Sequence, residues 1–198
     1  MNHDEPDDDE LIARYVDGDA RAFDLLVDRY ERRVYAVALR MTGNPEDARD
    51  VVQEVFLSAM RALRRFRGEA KLSTWFHRVT INAALDVGRK RSRRPVTALD
   101  AVPDRASDDP GPDEAAEMAA RAQAVHAALA RISEDHRSVI VLHDLQGLDY
   151  AEVASALDVP VGTVKSRIHR ARAELARLLG HLRETEPSAG GRPLTEEP

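Results

Sequence analysis

Between residues 20 and 41 the apolar positions Phe23, Leu26, Val27, Tyr30, Val34, Val37, Ala38 and Met41 recur with a period near 3.6, while Arg29, Glu31, Arg32 and Arg33 fall off that stripe. The pattern predicts one long amphipathic helix. A short helix over residues 10–16 precedes it, set off by Asp17-Gly18-Asp19. Thr42-Gly43 stops the long helix and Asn44-Pro45-Glu46-Asp47 opens another. Asn suits the cap, Pro the first helical position, and the acids complement the positive helix end. Its stripe is Ala48, Val51, Val52, Val55, Phe56, Ala59 and Leu63, reaching about Arg64. After a loop around Gly68, a third long helix is expected over residues 72–93. Its apolar side is less clean: Leu72, Trp75, Phe76, Val79, Ile81 or Asn82, Ala83 and Val87, with Arg78, Asn82, Asp86, Arg89 and Lys90 opposite. Trp75 sits on the apolar side and reads as core rather than as a stacking platform.

Residues 96–113 are rich in Pro, Asp, Ala and Ser, the composition of a linker. Helix resumes at about Glu114, and Ser133-Glu134-Asp135-His136 marks another capped start before Val139, Ile140, Leu142 and Leu145. No strand-like alternation or fixed repeat is present. The expected fold is all-α. Two helical domains, residues 10–95 and 114–182, are joined by a flexible acidic linker at 96–113. An acidic N-terminus (1–9) and a polar tail (183–198) are expected to be disordered. With so polar a connector, the two halves should have no fixed arrangement on their own.

The second half carries the most specific local pattern. Asp149-Tyr150-Ala151-Glu152 has the form of a capping box, followed by the apolar positions Val153, Ala154 and Leu157. Asp158-Val159-Pro160-Val161 breaks that helix, because proline lacks an N–H and disfavours helix in the residue before it. A second helix starts near Gly162, with Val164, Ile168, Ala171, Leu175 and Leu178 on one side and Lys165, Ser166, Arg167, His169, Arg170 and Arg172 elsewhere. This is the form of a helix-turn-helix whose second helix enters the DNA major groove. The plain alternative is a helical hairpin with a solvated basic face. Against it, residues 160–178 hold five Lys or Arg and one acid in a chain of net charge −6. Ser166, His169 and Arg170 also share one face at i, i+3 and i+4.

Charge distribution extends this picture. Residues 1–10 carry six acids and no Lys or Arg; residues 61–94 carry eleven basic groups and two acids; residues 96–118 carry seven acids and one Arg. Two positive blocks flanking a negative one predict two nucleic-acid-facing modules and an acidic connector. The run Arg89-Lys90-Arg91-Ser92-Arg93-Arg94 would repel itself without a nearby anion, and a phosphate backbone is the natural partner. On the helix after Asn44, the acids Asp47, Asp50 and Glu54 align at i, i+3 and i+7, either as a solvated face or as a docking strip for a basic partner helix. There is no Cys, so thiolate chemistry and Cys-ligated zinc are excluded. The His are scattered, and neither a metal site nor a cofactor is expected. No apolar run approaches the ~20 residues needed to span a bilayer, and the start lacks a signal pattern, which predicts a cytoplasmic protein without membrane insertion.

Two blocks of residues carry a family resemblance. Asn44-Pro45-Glu46-Asp47-Ala48, Gln53-Glu54-Val55-Phe56, Phe66-Arg67-Gly68, Ser73-Thr74-Trp75, Asn82 and Asp86 resemble region 2 of bacterial extracytoplasmic-function sigma factors, of the sigma-70 family. Tyr150-Ala151-Glu152-Val153-Ala154 and the run from Pro160 to Arg172 resemble their region 4. The Ala- and Arg-rich composition is similar to that of sigma-M-like members from actinobacteria. The resemblance implies a dissociable, non-enzymatic subunit of RNA polymerase that directs promoter recognition and DNA melting. It implies that Asp47, Asp50, Gln53 and Glu54 dock on the largest subunit of core RNA polymerase. Arg67, Lys71, Asn82, Asp86, Arg89, Lys90, Arg91 and Arg93 would engage the −10 element, where a base is extruded and held. Thr163, Lys165, Ser166, Arg167, His169, Arg170 and Arg172 would read the −35 element of promoter DNA. An anti-sigma factor is a further implied partner. A free-standing helix-turn-helix regulator is the competing expectation, although such proteins usually dimerise and no heptad seam is present. A nucleic-acid-cleaving enzyme would need clustered acids for metal ions or a His–acid pair; the acids at 47, 50 and 54 lack a nearby basic or hydrolytic partner motif, which ranks this reading far below the others.

Overall fold

The computed structural model describes residues 6–66, 68, 71–91 and 112–184. Among them the elements are all helical: α1 (Asp8–Val16), α2 (Ala20–Thr42), α3 (Pro45–Ala62) with a 3-10 turn Leu63–Arg65, and α4 (Leu72–Arg91) in the first half. The second half holds α5 (Pro112–Arg131), α6 (Glu134–Ile140) continuing into a π-helical turn Val141–Leu145, α7 (Tyr150–Leu157) and α8 (Val161–Glu184).

In the first half α2, α3 and α4 pack pairwise, and α1 lies across α2 and the 3-10 turn. The stripes expected from the sequence meet in one core: Leu26, Val34 and Val37 of α2 and Val51, Val55 and Ala59 of α3 are buried with Phe76 and Ile81 of α4. Phe76 sits at the centre. Its ring stacks on Tyr30 at 4.5 Å and meets Phe56 at 5.6 Å. Trp75 packs edge-on to Phe76 at 5.2 Å as a partly buried core residue.

Local chemistry explains the helix ends. Gly43 stands at φ 68°, the left-handed conformation that a Cβ disfavours, and its N–H donates to the Leu39 carbonyl at 2.8 Å, closing α2. Asn44 Oδ1 then accepts from the N–H groups of Glu46 (2.8 Å) and Asp47 (3.0 Å), and Pro45 fills the first position of α3.

Three boundary expectations need correcting. Ordered chain begins before residue 10, because α1 starts at Asp8 and Asp7 caps it by accepting from Glu10 N–H at 2.8 Å. The acids of this terminus have partners. Asp8 receives Arg29 at 2.7 Å and the Tyr30 hydroxyl, and Arg29 also donates to the Pro6 carbonyl at 2.7 Å. Composition shows the charges of a segment but not the cations that another helix will bring to it. The linker likewise ends earlier than expected, since α5 begins at Pro112, a residue suited to a first helical turn. The tail expected from residue 183 starts inside α8, which runs to Glu184, and the rest lies outside the described residues.

The larger correction concerns the two halves. They are packed together: α4 lies against α7, and α2 lies against α5, α6 and the π-helical turn. The Arg137 guanidinium, on α6, donates to the Met41 carbonyl at the end of α2 at 2.6 Å. Lys71 Nζ, just before α4, pairs with Glu152 of α7 at 3.0 Å. A polar connector does not prevent docking when the faces it joins are themselves complementary.

Candidate polymerase and nucleic-acid interfaces

Three surfaces collect the residues singled out from the sequence. On α3, Asp50, Gln53 and Glu54 are exposed and Asp47 is half-buried, all on the side away from the Val51–Val55 core stripe. Gln53 also lines an open groove of about 600 Å³ between α2 and α3, with Asp28, Glu31, Arg32, Tyr35, Arg49 and Val52. A groove walled by alternating charges over a partly apolar floor suits a charged helix of a protein partner.

On α4, Asn82, Asp86, Arg89 and Lys90 are exposed and share one side with Arg78. Arg89 Nη2 bonds Asp86 Oδ1 at 2.5 Å, an i, i+3 pair in open solvent. Such pairs contribute about 0–1 kcal/mol, so a phosphate can displace the carboxylate at little cost. Lys71 is exposed and held by Glu152, whose hydrogen bond raises the ammonium's pKa while lowering that of the carboxylate. Arg91 lies in the last turn of α4; Arg67 and Arg93 lie outside the described residues.

The helix-turn-helix is built as the sequence pattern implies. Asp149 Oδ1 accepts from the N–H groups of Ala151 and Glu152, both at 2.8 Å, and Glu152 Oε2 accepts from Asp149 N–H at 3.1 Å. Asp158 stands at φ 53° and ends α7. A non-glycine residue tolerates this conformation best when it is Asn or Asp. Val164, Ile168, Ala171 and Leu178 bury one side of α8, and Val153, Ala154 and Ala156 of α7 meet them. Replacing Asp149 by alanine removes two acceptor contacts and is expected to lower stability by about 1–2 kcal/mol, measured by urea denaturation.

The −35 set divides in two. Lys165, Ser166, His169 and Arg170 are exposed on one face of α8. Lys165 Nζ lies 5.6 Å from the Tyr150 ring centroid, and Ser166 Oγ donates to the Thr163 carbonyl at 2.9 Å. Arg167 and Arg172 are instead each paired at the surface with an acid of a neighbouring element. Arg167 bonds Asp135 at 2.6 Å, with 24% of its side chain exposed. Arg172 makes two bonds to Asp144, at 2.6 and 3.0 Å, which raise its pKa. These pairs fix how α8 sits on α6 and the π-helical turn. His136 Nδ1 adds a third tie to Glu174 at 3.0 Å.

The profile of Sigma-70 region 2 matches residues 26–94, covering α3 and α4, and that of Sigma-70 region 4 matches residues 122–175, covering the helix-turn-helix. The sequence is 42% identical to the ECF RNA polymerase sigma factor SigM of Mycobacterium tuberculosis, over 90% of this chain and 87% of that protein. The chain belongs to the extracytoplasmic-function sigma factors. It is also 39% identical to RNA polymerase sigma-H factor of Pseudomonas aeruginosa, over 87% of this chain and 93% of that protein. Among solved structures, CnrH in complex with the cytosolic domain of CnrY matches at 33% identity and a TM-score of 0.64, covering 86% of this chain and 96% of CnrH.

Several residues of this sigma factor that organise its surfaces escaped the sequence reading. Asp135, Asp144 and Glu174 look like ordinary solvated acids in a one-dimensional pattern. Their role depends on which helix packs opposite. Arg137 is the most consequential. Besides Met41, it donates to the carbonyls of Leu129 (2.8 Å), Ala130 (3.2 Å) and Ile132 (3.2 Å), and burial depresses its pKa. Backbone acceptors carry no residue identity, so no sequence signal marked this arginine. Among the described residues no helix is long and apolar enough to cross a membrane.

Proposed function

We propose that this sigma factor docks on core RNA polymerase through Asp47, Asp50, Gln53 and Glu54, engages the −10 element through Lys71 and the exposed side of α4, and reads the −35 element with Lys165, Ser166, His169 and Arg170. The observation that carries the reading is the pairing, in one chain, of an acidic strip on α3 with two separate exposed basic faces, on α4 and α8. Thr163 at the start of α8, and Arg91 at the end of α4, lie beside those faces and join the same contacts; Arg67 and Arg93, by charge and position in sequence, extend the −10 set. Arg167 and Arg172 act by orienting α8, and reach phosphate only by leaving Asp135 and Asp144. The protein works by binding and positioning, without a chemical step of its own, in the compartment that holds polymerase and DNA, the cytoplasm. CnrH was solved with the cytosolic domain of CnrY, which supports a protein partner of the anti-sigma kind for this chain too.

Reconstitution tests the docking step. The chain is expected to co-elute with core polymerase. The double substitution Asp50→Lys and Glu54→Lys, on exposed positions of α3, is expected to weaken that association at least tenfold while leaving thermal stability within about 0.5 kcal/mol. A wild-type chain that never associates with core polymerase, or a reversed strip that binds equally well, contradicts the proposal.

A further inference from the structure

The turn ahead of the helix-turn-helix holds two cations of α8 by different means. Val141–Leu145 is wound as a π-helix. Its wide end closes on the Gln146 N–H, which donates to the Val141 carbonyl at 3.0 Å, and on the Leu148 N–H, which donates to the Leu142 carbonyl at 3.1 Å. The adjacent residues His143 and Asp144 of this turn reach different partners. Asp144 takes Arg172 directly. The His143 imidazole stacks on Tyr150, the first residue of α7, with ring centroids 4.6 Å apart and planes 25° from parallel. A carbonyl can only accept, so His143 Nδ1, 2.7 Å from the Leu148 oxygen, carries a proton and donates it, which fixes the imidazole plane. The Tyr150 ring therefore has a defined orientation, although the residue is 37% exposed.

Lys165 stands over that ring. Its Nζ is 5.6 Å from the centroid, within the ~6 Å over which a ring face attracts a cation. Neighbouring cations of α8 are held differently. Arg167 and Arg172 are paired with carboxylates, and a phosphate must displace an acid to reach them. A ring holds an ammonium without neutralising it, so Lys165 keeps its full charge and its N–H donors for an outside anion. A lysine that is loose in the free protein loses rotamer freedom when a ligand pins it; one already held against a ring loses less. The place of Lys165 on α8 names the anion. Lys165 and Arg172 are seven residues apart, about 20° round the helix axis, and share the edge that borders α7 and the π-helical turn. In a helix-turn-helix the first helix crosses the DNA backbone while the second reads bases. A cation on the edge of α8 beside α7 thus faces phosphate.

We propose that Tyr150 is a positioning residue for the −35 contact: stacked on His143, its ring holds the Lys165 ammonium, charged and already ordered, where the motif meets the DNA backbone, so that Lys165 engages a phosphate at reduced entropic cost. The inference rests on the functional reading above, and adds to it a residue that acts through another. Removing the ring loosens Lys165 and leaves Ser166, His169 and Arg170 as they are. Affinity for the −35 element then falls while its base preference stays.

Holoenzyme reconstituted from core polymerase and the full chain is titrated with a promoter fragment, taken from the starts the wild type makes, over a series of salt concentrations. Tyr150→Phe keeps the ring and is expected to bind within about twofold of wild type. Tyr150→Leu keeps an apolar side chain without the ring and is expected to bind about three- to tenfold more weakly, with the same −35 base preference. Lys165→Ala is expected to cost at least as much and to reduce the salt slope by about one. In the Lys165→Ala background, Tyr150→Leu is expected to add less than about twofold, because the ring then has nothing to hold. Losses that multiply, a Tyr150→Leu holoenzyme as tight as wild type, or a Tyr150→Phe holoenzyme as weak as Tyr150→Leu overturn the proposal. The chain has three lysines, so the contact can also be seen in the free wild-type protein by NMR. The ring current of Tyr150 is expected to move the ε-methylene protons of Lys165 upfield of those of Lys71 and Lys90, with the signal assigned by its loss in Lys165→Ala. An unshifted Lys165 signal overturns the proposal even if Tyr150→Leu does not fold. A wild-type holoenzyme without promoter affinity counts against the functional reading, and promoter affinity that Tyr150→Leu leaves intact counts against the positioning role alone.

Discussion

Substituting methionine for Arg137 is expected to lower the stability of the free protein by about 3–5 kcal/mol. The guanidinium is the donor to four backbone carbonyls, those of Leu129, Ala130, Ile132 and Met41. Methionine keeps much of the volume and none of the donors. Each charged hydrogen bond is worth about 1.5–3 kcal/mol, part of which water recovers where the carbonyls become exposed. For a chain of this size the loss corresponds to a fall in Tm of about 6–15 °C by calorimetry. Arg137→Lys is expected to recover less than half of it, because one ammonium cannot reach acceptors spread around a planar fork. The same substitution removes the bond between α6 and α2. Fluorescence transfer between labels on α3 and α8 is therefore expected to show the halves moving apart in whatever fraction remains folded.

His77 gives the second large effect, and its sign follows from burial. The ring is 5% exposed, and neither nitrogen has a hydrogen-bond partner among the described residues. Burial, reinforced by the positive charge of Arg33 and opposed by Glu152, lowers its pKa to about 4 from an ordinary 6.5. The native state therefore holds the ring neutral where the unfolded chain protonates it. This contribution to stability is complete above pH 6.5 and is lost as pH falls toward 4, by about 3 kcal/mol in all. Below about 4 both states carry the proton and the loss stops. Replacing His77 by leucine removes both the titration and two unsatisfied polar atoms. The variant is expected to be about 1–3 kcal/mol more stable at neutral pH, and the gap should widen as pH falls to 4 in urea titrations. Equal pH dependence in the two proteins would contradict this assignment.

Much of this was legible in the sequence, and what was not has a physical reason. Helices α2 and α7 begin and end, and α3 begins, where Asp, Asn, Pro and Gly residues dictate, because caps act within a few residues of the chain. The buried side of α4 read as blurred for a reason now visible: its buried arc is wide, taking in Leu72, Phe76, Thr80, Ala84, His77 and Ile81, and α2, α3 and α7 all pack against the helix. A narrow 3.6-period stripe cannot describe so broad a face. The polar residues Thr74, His77 and Thr80 are buried there as well. Long-range partners were the hardest to see. Asp8 with Arg29 and Tyr30, Asp135 with Arg167, and Asp144 with Arg172 are pairs set by packing, with no trace in local spacing. The basic residues of α8 stood out as a group, but the division between those facing solvent and those tied to α6 required the fold.

The account turns on promoter choice made by this chain in company with polymerase. The most direct measurement is sequencing of transcript starts made by core polymerase alone, with the wild-type protein, and with Arg170→Ala. Wild type is expected to confer a distinct set of starts preceded by common −35 and −10 elements. Arg170→Ala is expected to relax preference at one or two adjacent −35 base pairs, worth about 1–3 kcal/mol each, while the −10 element is unchanged. Start sites indifferent to the presence of the protein would contradict the account at its root.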